Sequence, residues 1–204
     1  MVNEELELLV ATNNEGKVAE LKKLLSNFPA RLRSLSEFAD GLDVKETGKS
    51  FRENAALKAR GYALRTSLWT LADDSGLEVA ALDGTPGIFS ARYAGENATD
   101  REKINKLLRE LNEKQPAGRF ARFVCAMAIA DEKGEIKFAA EGVCDGTISL
   151  EPRGNNGFGY DSVFIPEGFN ETFGELSNDI KQQISHRAQA FKQIIQYLRD
   201  FHAL

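Results

Sequence analysis

Leu6-Glu7-Leu8-Leu9-Val10-Ala11-Thr12-Asn13-Asn14-Glu15-Gly16-Lys17-Val18 is the stretch from which the architecture is read. Leu6 to Ala11 is a short apolar run that stops abruptly at Thr12-Asn13-Asn14, the pattern of a buried strand closed by a turn. From Glu15 to Phe28, Val18, Leu21, Leu24, Leu25 and Phe28 recur on one helical stripe, with Glu20, Lys22 and Lys23 facing out. Pro29 stops the pattern. The order is strand, Asn-rich turn, helix, with the helix N-terminus pointing at the turn.

The same alternation continues outward. Ser50-Phe51-Arg52-Glu53 is a capping box heading a helix that runs to about Thr66. Trp69 to Ala72 predicts a strand ended by Asp73-Asp74-Ser75-Gly76, and Leu77 to Leu82 continues apolar. Asp83-Gly84-Thr85-Pro86-Gly87 is turn chemistry. Thr99-Asp100-Arg101-Glu102 is a second capping box, followed by the stripe Ile104, Leu107, Leu108 and Leu111. Arg119 to Ala130 and Glu135 to Leu150 read as two long strands of a hairpin turning at Asp131-Glu132-Lys133-Gly134. Arg153 to Gly159 is a glycine-rich loop, Asp161 to Pro166 a candidate strand, and from about Ser185 a helix presents Ala188, Phe191, Ile194, Ile195, Leu198 and Phe201. Interleaved strands and helices with a hairpin predict an α/β fold with a mixed, twisted sheet flanked by helices.

The 204 residues form one domain, or one domain with two lobes, long enough to bury roughly 70% of the unfolded surface without disulfide or metal staples. With 26 Lys+Arg against 31 Asp+Glu the net charge is -5, which argues against a nucleic-acid partner held by the overall field. An anionic ligand must therefore meet local bases, N–H groups or a metal ion. Cys125 and Cys144 sit in apolar stretches and read as buried thiols of a reducing cytoplasm. No CxxC and only two histidines leave no zinc site of the usual kind. No signal peptide and no membrane-spanning run are present, so a cytoplasmic protein is expected.

Candidate chemistry gathers at strand ends, where open α/β sheets bind ligands. Thr12-Asn13-Asn14-Glu15-Gly16-Lys17 combines side-chain donors, a flexible Gly, a Lys and a helix N-terminus, a set suited to phosphate oxygens; an Asn cap followed by an exposed Lys explains it equally well. Gly48-Lys49-Ser50 resembles the end of a phosphate-binding loop, but Asp43 stands where that motif needs Gly. Asp73-Asp74 is the sharpest acidic signal: Mg²⁺ takes one or two carboxylates plus phosphates, and a neighbouring carboxylate can deprotonate water. Solvated acids of an Asx turn are the competing reading. Glu53 is explained by capping, whereas Glu46 has no such role. Phe158, in Gly157-Phe158-Gly159-Tyr160-Asp161, either stacks on a base or folds into the core. Ser185-His186-Arg187 sets a basic pair at a helix N-terminus, which a bound anion or carbonyl would rationalise; an idle surface pair is the alternative.

Taken together, these segments resemble the inosine triphosphate pyrophosphatase family, which hydrolyses ITP, dITP and XTP. The resemblance runs through Ala11–Lys17 with Glu20, Glu46-Thr47-Gly48, Phe51–Ala55, Ala72–Leu77, Pro86–Tyr93, Gly157–Asp161 and Ser185–Arg187, nearly the whole chain. Each motif alone is weak; in this order and spacing they are specific. The resemblance implies a single domain over residues 1–204 whose two lobes have a substrate cleft between them. It further implies a homodimer and a Mg²⁺-dependent hydrolysis of nucleoside triphosphate to monophosphate and pyrophosphate. Asp74 would be the proton acceptor and a metal ligand with Glu46, supported by Asp73 and Glu53. Thr12, Asn13, Asn14, Glu15, Gly16 and Lys17 would hold the triphosphate, with Ser75 and Arg92 along it. Phe158 would stack on the purine, in the loop Gly157-Phe158-Gly159-Tyr160-Asp161, with Gly159 and Tyr160 beside it, and Asp161, Lys181, His186 and Arg187 would line the base edge. Two departures occur: Ser177-Asn178-Asp179-Ile180-Lys181 replaces a Glu-Glu-Lys-type stretch, and Asn13 stands where many members have Gly. Two rival readings are a pyrophosphatase for modified pyrimidine or methylated nucleotides, and a nucleotide-binding protein without turnover.

Overall fold

The computed structural model describes residues 6–25, 28–38, 43–114 and 118–202. Six strands, β1 (Leu6–Val10), β2 (Ala30–Ser34), β3 (Trp69–Val79), β4 (Phe120–Ala130), β5 (Ile136–Ile148) and β6 (Phe164–Pro166), form a sheet of order β2-β1-β3-β4-β5-β6. β1 pairs parallel with β2 and β3, while β5 and β6 are antiparallel, so the sheet is mixed as expected. The helices are α1 (Glu15–Leu24), α2 (Phe51–Thr66), α3 (Asp100–Glu113), α4 (Asn178–Ile184) and α5 (His186–His202).

The chain divides into two compact units, one of residues 1–74, 125–141 and 190–204 and the other of 75–124 and 142–189. Each has its own core. In the first, Leu8 and Val10 of β1, Leu21 and Leu25 of the α1 segment, Met127 and Ile129 of β4 and Phe191, Ile194 and Leu198 of α5 pack together. In the second, Leu77 and Val79 of β3, Ile104, Leu107 and Leu111 of α3, Phe123 of β4 and Phe164 and Phe173 form the cluster. The apolar stripes read from α1, α3 and α5 are therefore the buried faces, except that Phe201 at the end of α5 is exposed.

Local chemistry sets the element ends. Asn14 caps α1 by accepting the Lys17 N–H at 3.0 Å. α1 ends at Leu24 rather than Phe28; residues 26–27 of the expected span lie outside the described residues. Thr99 and Glu102 form the reciprocal capping box of α3. At α2 only half of the expected box forms. Ser50 Oγ accepts the Glu53 N–H, but the Glu53 carboxylate accepts the Lys49 N–H at 2.6 Å.

A further expectation is corrected. β3 does not stop at Ala72: it runs unbroken through Asp73-Asp74-Ser75-Gly76 to Val79. Asp73 and Asp74 are strand residues, 1% and 7% exposed. Acids disfavour strands as isolated residues, but partners on other elements override that preference.

Candidate active site

The parallel register of β1 and β3 sets Val10 opposite Leu71, and the Ala11 N–H donates to the Leu71 carbonyl at 2.8 Å. The chain turns there, with the Thr12 N–H donating to the Val10 carbonyl at 3.1 Å, while β3 continues into Asp73. Successive strand residues point to opposite faces, so the adjacent acids serve different neighbours. Asp73 meets α1: Lys17 Nζ lies 2.8 Å from its Oδ2, with the Asp73 side chain fully buried and the Lys17 side chain 14% exposed. Asp74 meets α2: Asn54 Nδ2 donates to Oδ2 at 3.1 Å, and Lys58 Nζ lies 3.6 Å from Oδ1.

Lys58 also reaches Glu46, donating to Oε1 at 2.8 Å. The carboxylates of Glu46 and Asp74, twenty-eight positions apart in sequence, thus share one ammonium. Asn54 ties the Glu46 loop to the same place, because its Oδ1 accepts the Gly48 N–H at 2.8 Å. Gly48 has no room for a side chain here: a Cβ would stand 2.7 Å from Asn54 Oδ1. Burial pushes the Asp74 carboxyl above its ordinary range, although Lys58 and Lys17 pull it back. For Lys58 burial acts downward, but the fields of Asp74, Asp73 and Glu46 outweigh it and hold the ammonium above its usual value.

At the head of α1, Thr12 Oγ1 accepts the Asn14 N–H at 3.2 Å, and exposed Asn13 and Glu15 flank the cap. Gly16 and Lys17 lie in the first turn, so free N–H groups and a cation are presented together. Glu53, whose carboxylate accepts the Lys49 N–H just before α2, lies in the same unit.

The second unit assembles the other candidates. Asp161, 3% exposed, accepts the Phe158 N–H at 2.8 Å and Lys181 Nζ at 2.5 Å. Lys181 Nζ lies 4.9 Å from the Phe158 ring centre, and the Arg187 guanidinium carbon lies 5.7 Å from it. Arg187 also donates to Ser75 Oγ at 2.9 Å. His186 is buried with its ring stacked on Phe123 at 4.7 Å. Tyr160 is buried and donates to the Ser90 carbonyl at 3.0 Å. Gly157 and Gly159 take φ of +76° and +63°; at Gly157 a Cβ would fall 2.0 Å from Asp161 Oδ2. Arg92 has a different neighbour, its guanidinium lying 5.2 Å over Phe89.

Sequence reading gave Lys58 and Asn54 no role. A signal was present: on α2 both fall among Phe51, Ala55, Ala59 and Tyr62, the residues that become the buried face. A lysine and an asparagine on such a stripe must find polar partners.

The fold and these two clusters describe an α/β protein with buried acid–lysine pairs within its third strand and an aromatic ring flanked by a lysine and an arginine. The chain belongs to the Ham1 family, whose sequence profile matches residues 8–197. It is 45% identical over 192 residues to the dITP/XTP pyrophosphatase of Halalkalibacterium halodurans, covering 94% of this chain and 98% of that one. Among solved structures, a HAM1 protein from Coxiella burnetii superposes with a TM-score of 0.88 at 43% identity, covering 96% of this chain and 99% of that one. The Staphylococcus aureus Ham1 protein gives 0.84 at 40% identity, over 95% and 98%.

Proposed function

We propose that this chain hydrolyses the non-standard purine nucleoside triphosphates ITP, dITP and XTP to the monophosphate and pyrophosphate, cleansing the nucleotide pool. The observation that carries this reading is the meeting of Glu46 and Asp74 on the Lys58 ammonium, beside Lys17 and the head of α1. The relative named a dITP/XTP pyrophosphatase, similar over nearly its full length, supplies the reaction class.

Mg²⁺ is the proposed cofactor, and the donors present fit it. Glu46 and Asp74 are hard oxygen ligands brought to one point, and Mg²⁺ usually takes one or two carboxylates with substrate phosphates and water. No group of three His, Cys, Asp or Glu forms a protein-only cage among the described residues, and Mg²⁺ does not need one. When bound, the ion would neutralise charge on the triphosphate.

The chain's own groups do the rest. Lys17 and the N–H groups at the start of α1 bind phosphate oxygens, with Thr12, Asn13, Asn14, Glu15 and Gly16 shaping that turn. Ser75 and Arg92 line the triphosphate. Asn54 fixes the Asp74 carboxylate and Lys58 keeps it ionised, so that Asp74 accepts a proton from water. Asp73 keeps Lys17 in place. Phe158 stacks on the purine, and Lys181, His186 and Arg187, with Asp161, line its edge. Arginine and lysine only donate, so they suit a 6-oxo group and are mismatched to the 6-amino group of adenine. Guanine would be refused at the 2-position, where an unpaired buried amino group costs about 1–3 kcal/mol.

We further propose a cytoplasmic homodimer that takes no nucleic acid or membrane partner. No helix among the described residues is long and apolar enough to cross a membrane, and Cys125 and Cys144 are buried thiols, as suits a reducing compartment. Pyrophosphate release across ITP, XTP, dITP, ATP and GTP, with dUTP and methylated nucleotides as further competitors, tests the assignment. Preference for ATP or dUTP would overturn it.

A further inference from the structure

The backbone on either side of Phe158 is held by two carboxylates. The Phe158 N–H donates to Asp161 Oδ2 at 2.8 Å, and the Gly159 N–H donates to Asp100 Oδ2 at 2.6 Å. Asp161 belongs to the same loop. Asp100 comes from fifty-nine positions earlier, as the first residue of α3. Gly157 and Gly159 flank Phe158 with positive φ. Glycine has little conformational preference of its own, so the groups that fix these N–H bonds decide where the ring stands.

Asp100 is well prepared for that task. Lys103 Nζ lies 2.6 Å from its Oδ1, one turn along the same helix, and the side chain of Lys103 is largely buried. An acid in the first turn of a helix is also stabilised by the aligned peptide dipoles. The Asp100 side chain is half-exposed; its partial burial acts to raise the carboxyl, but the Lys103 and Gly159 hydrogen bonds prevail and hold it below the ordinary carboxylate range. The Gly159 contact is therefore a hydrogen bond to an ionised acceptor, about twice as strong as a neutral one.

We infer that Asp100 is a positioning residue for purine recognition: it sets the Phe158 ring against the base through the Gly159 N–H and touches neither base nor phosphate. The inference rests on Phe158 being the stacking residue. It assigns to the head of α3, outside every residue of the proposed site, control over how tightly the base is held.

The test is steady-state hydrolysis of ITP by wild type, D100A, D100N, F158A, D100A/F158A and T99A. D100A should raise KM by about tenfold, the equivalent of one charge-assisted hydrogen bond, with kcat within about twofold. D100N keeps an acceptor oxygen for Gly159 and should recover most of that loss. In the F158A background the D100A change should add less than about twofold, since no ring remains to be placed. T99A weakens the α3 cap without touching Gly159; it should lower the melting temperature and leave KM alone. An unchanged KM in D100A, a full additional loss in D100A/F158A, or a T99A variant that reproduces the KM rise would overturn the inference. If F158A itself leaves KM unchanged, it is the stacking role that fails, and the inference falls with it.

Discussion

Replacing Lys181 by Met should expose how far the base-side cluster depends on one buried ion pair. The two side chains are 6% and 5% exposed, and Lys181 Nζ sits 2.5 Å from Asp161 Oδ2. Breaking a buried pair by removing one partner leaves an uncompensated charge and typically costs about 3–5 kcal/mol. Asp161 keeps the Phe158 N–H, which places the expected loss near the low end, about 3 kcal/mol. For a chain of this length, 1 kcal/mol lowers the melting temperature by about 2–4 °C, so K181M should melt about 6–12 °C below wild type at neutral pH. Met nearly preserves the volume of the lysine stem, so the loss is electrostatic: the ion pair and the ammonium's contacts with the Phe158 and Phe173 rings. The double variant D161N/K181M, with both charges gone, should recover at least half of the loss. Scanning calorimetry of the three proteins at matched concentration is the assay. A K181M melting point within about 2 °C of wild type, or a double variant less stable than K181M, would refute the reasoning.

Further outcomes follow from other parts of the molecule. Gly154 has φ of +77°, and a Cβ there would stand 2.0 Å from the Gly174 carbonyl oxygen; G154A should lose at least about 2 kcal/mol in urea unfolding, because neither backbone can give way. Burial raises the Asp74 carboxyl while Lys58 opposes it, so kcat/KM should fall with acid at a pH above the usual carboxylate range. K58M should move that limb to higher pH as well as slowing turnover. Asp131 is held below its ordinary value by Lys137 and by the Glu135 and Lys133 N–H groups. Its contribution is present above about pH 4 and lost as pH falls through the lower folded value, so the melting-temperature gap between wild type and D131N should close in acid.

Much of this architecture is written in short-range patterns. The stripe Val18-Leu21-Leu24-Leu25, the Thr99–Glu102 box and the hairpin turn at Asp131 each depend on neighbours in sequence, and each is found where the pattern places it. The failures share a physical cause. Asp73 and Asp74 read as a turn because their local preference favours one, yet Lys17, Asn54 and Lys58, on two different helices, hold them in β3. Glu53 has the right spacing for a reciprocal box but finds the Lys49 N–H instead of that of Ser50. β2, with Arg31 and Arg33 alternating, carries too few apolar residues to read as a strand, and its pairing with β1 supplies what composition does not. For Lys58 the signal was partial: its place on the buried stripe of α2 demands polar partners, but does not say that Glu46 and Asp74 supply them. The acids of the site were legible as residue types at strand ends and loops. Their convergence was not, since it depends on β1–β3 register and on which face of α2 is buried.

The central claim, that the Glu46–Asp74 pair serves cleavage of a purine triphosphate, is tested most directly by following products from ITP with wild type and D74N, with and without Mg²⁺. Wild type with Mg²⁺ should give IMP and pyrophosphate in equal amounts. D74N should bind ITP and release at least about a hundredfold less pyrophosphate per unit time. Undiminished pyrophosphate release by D74N, or IDP and orthophosphate from wild type, would contradict the account.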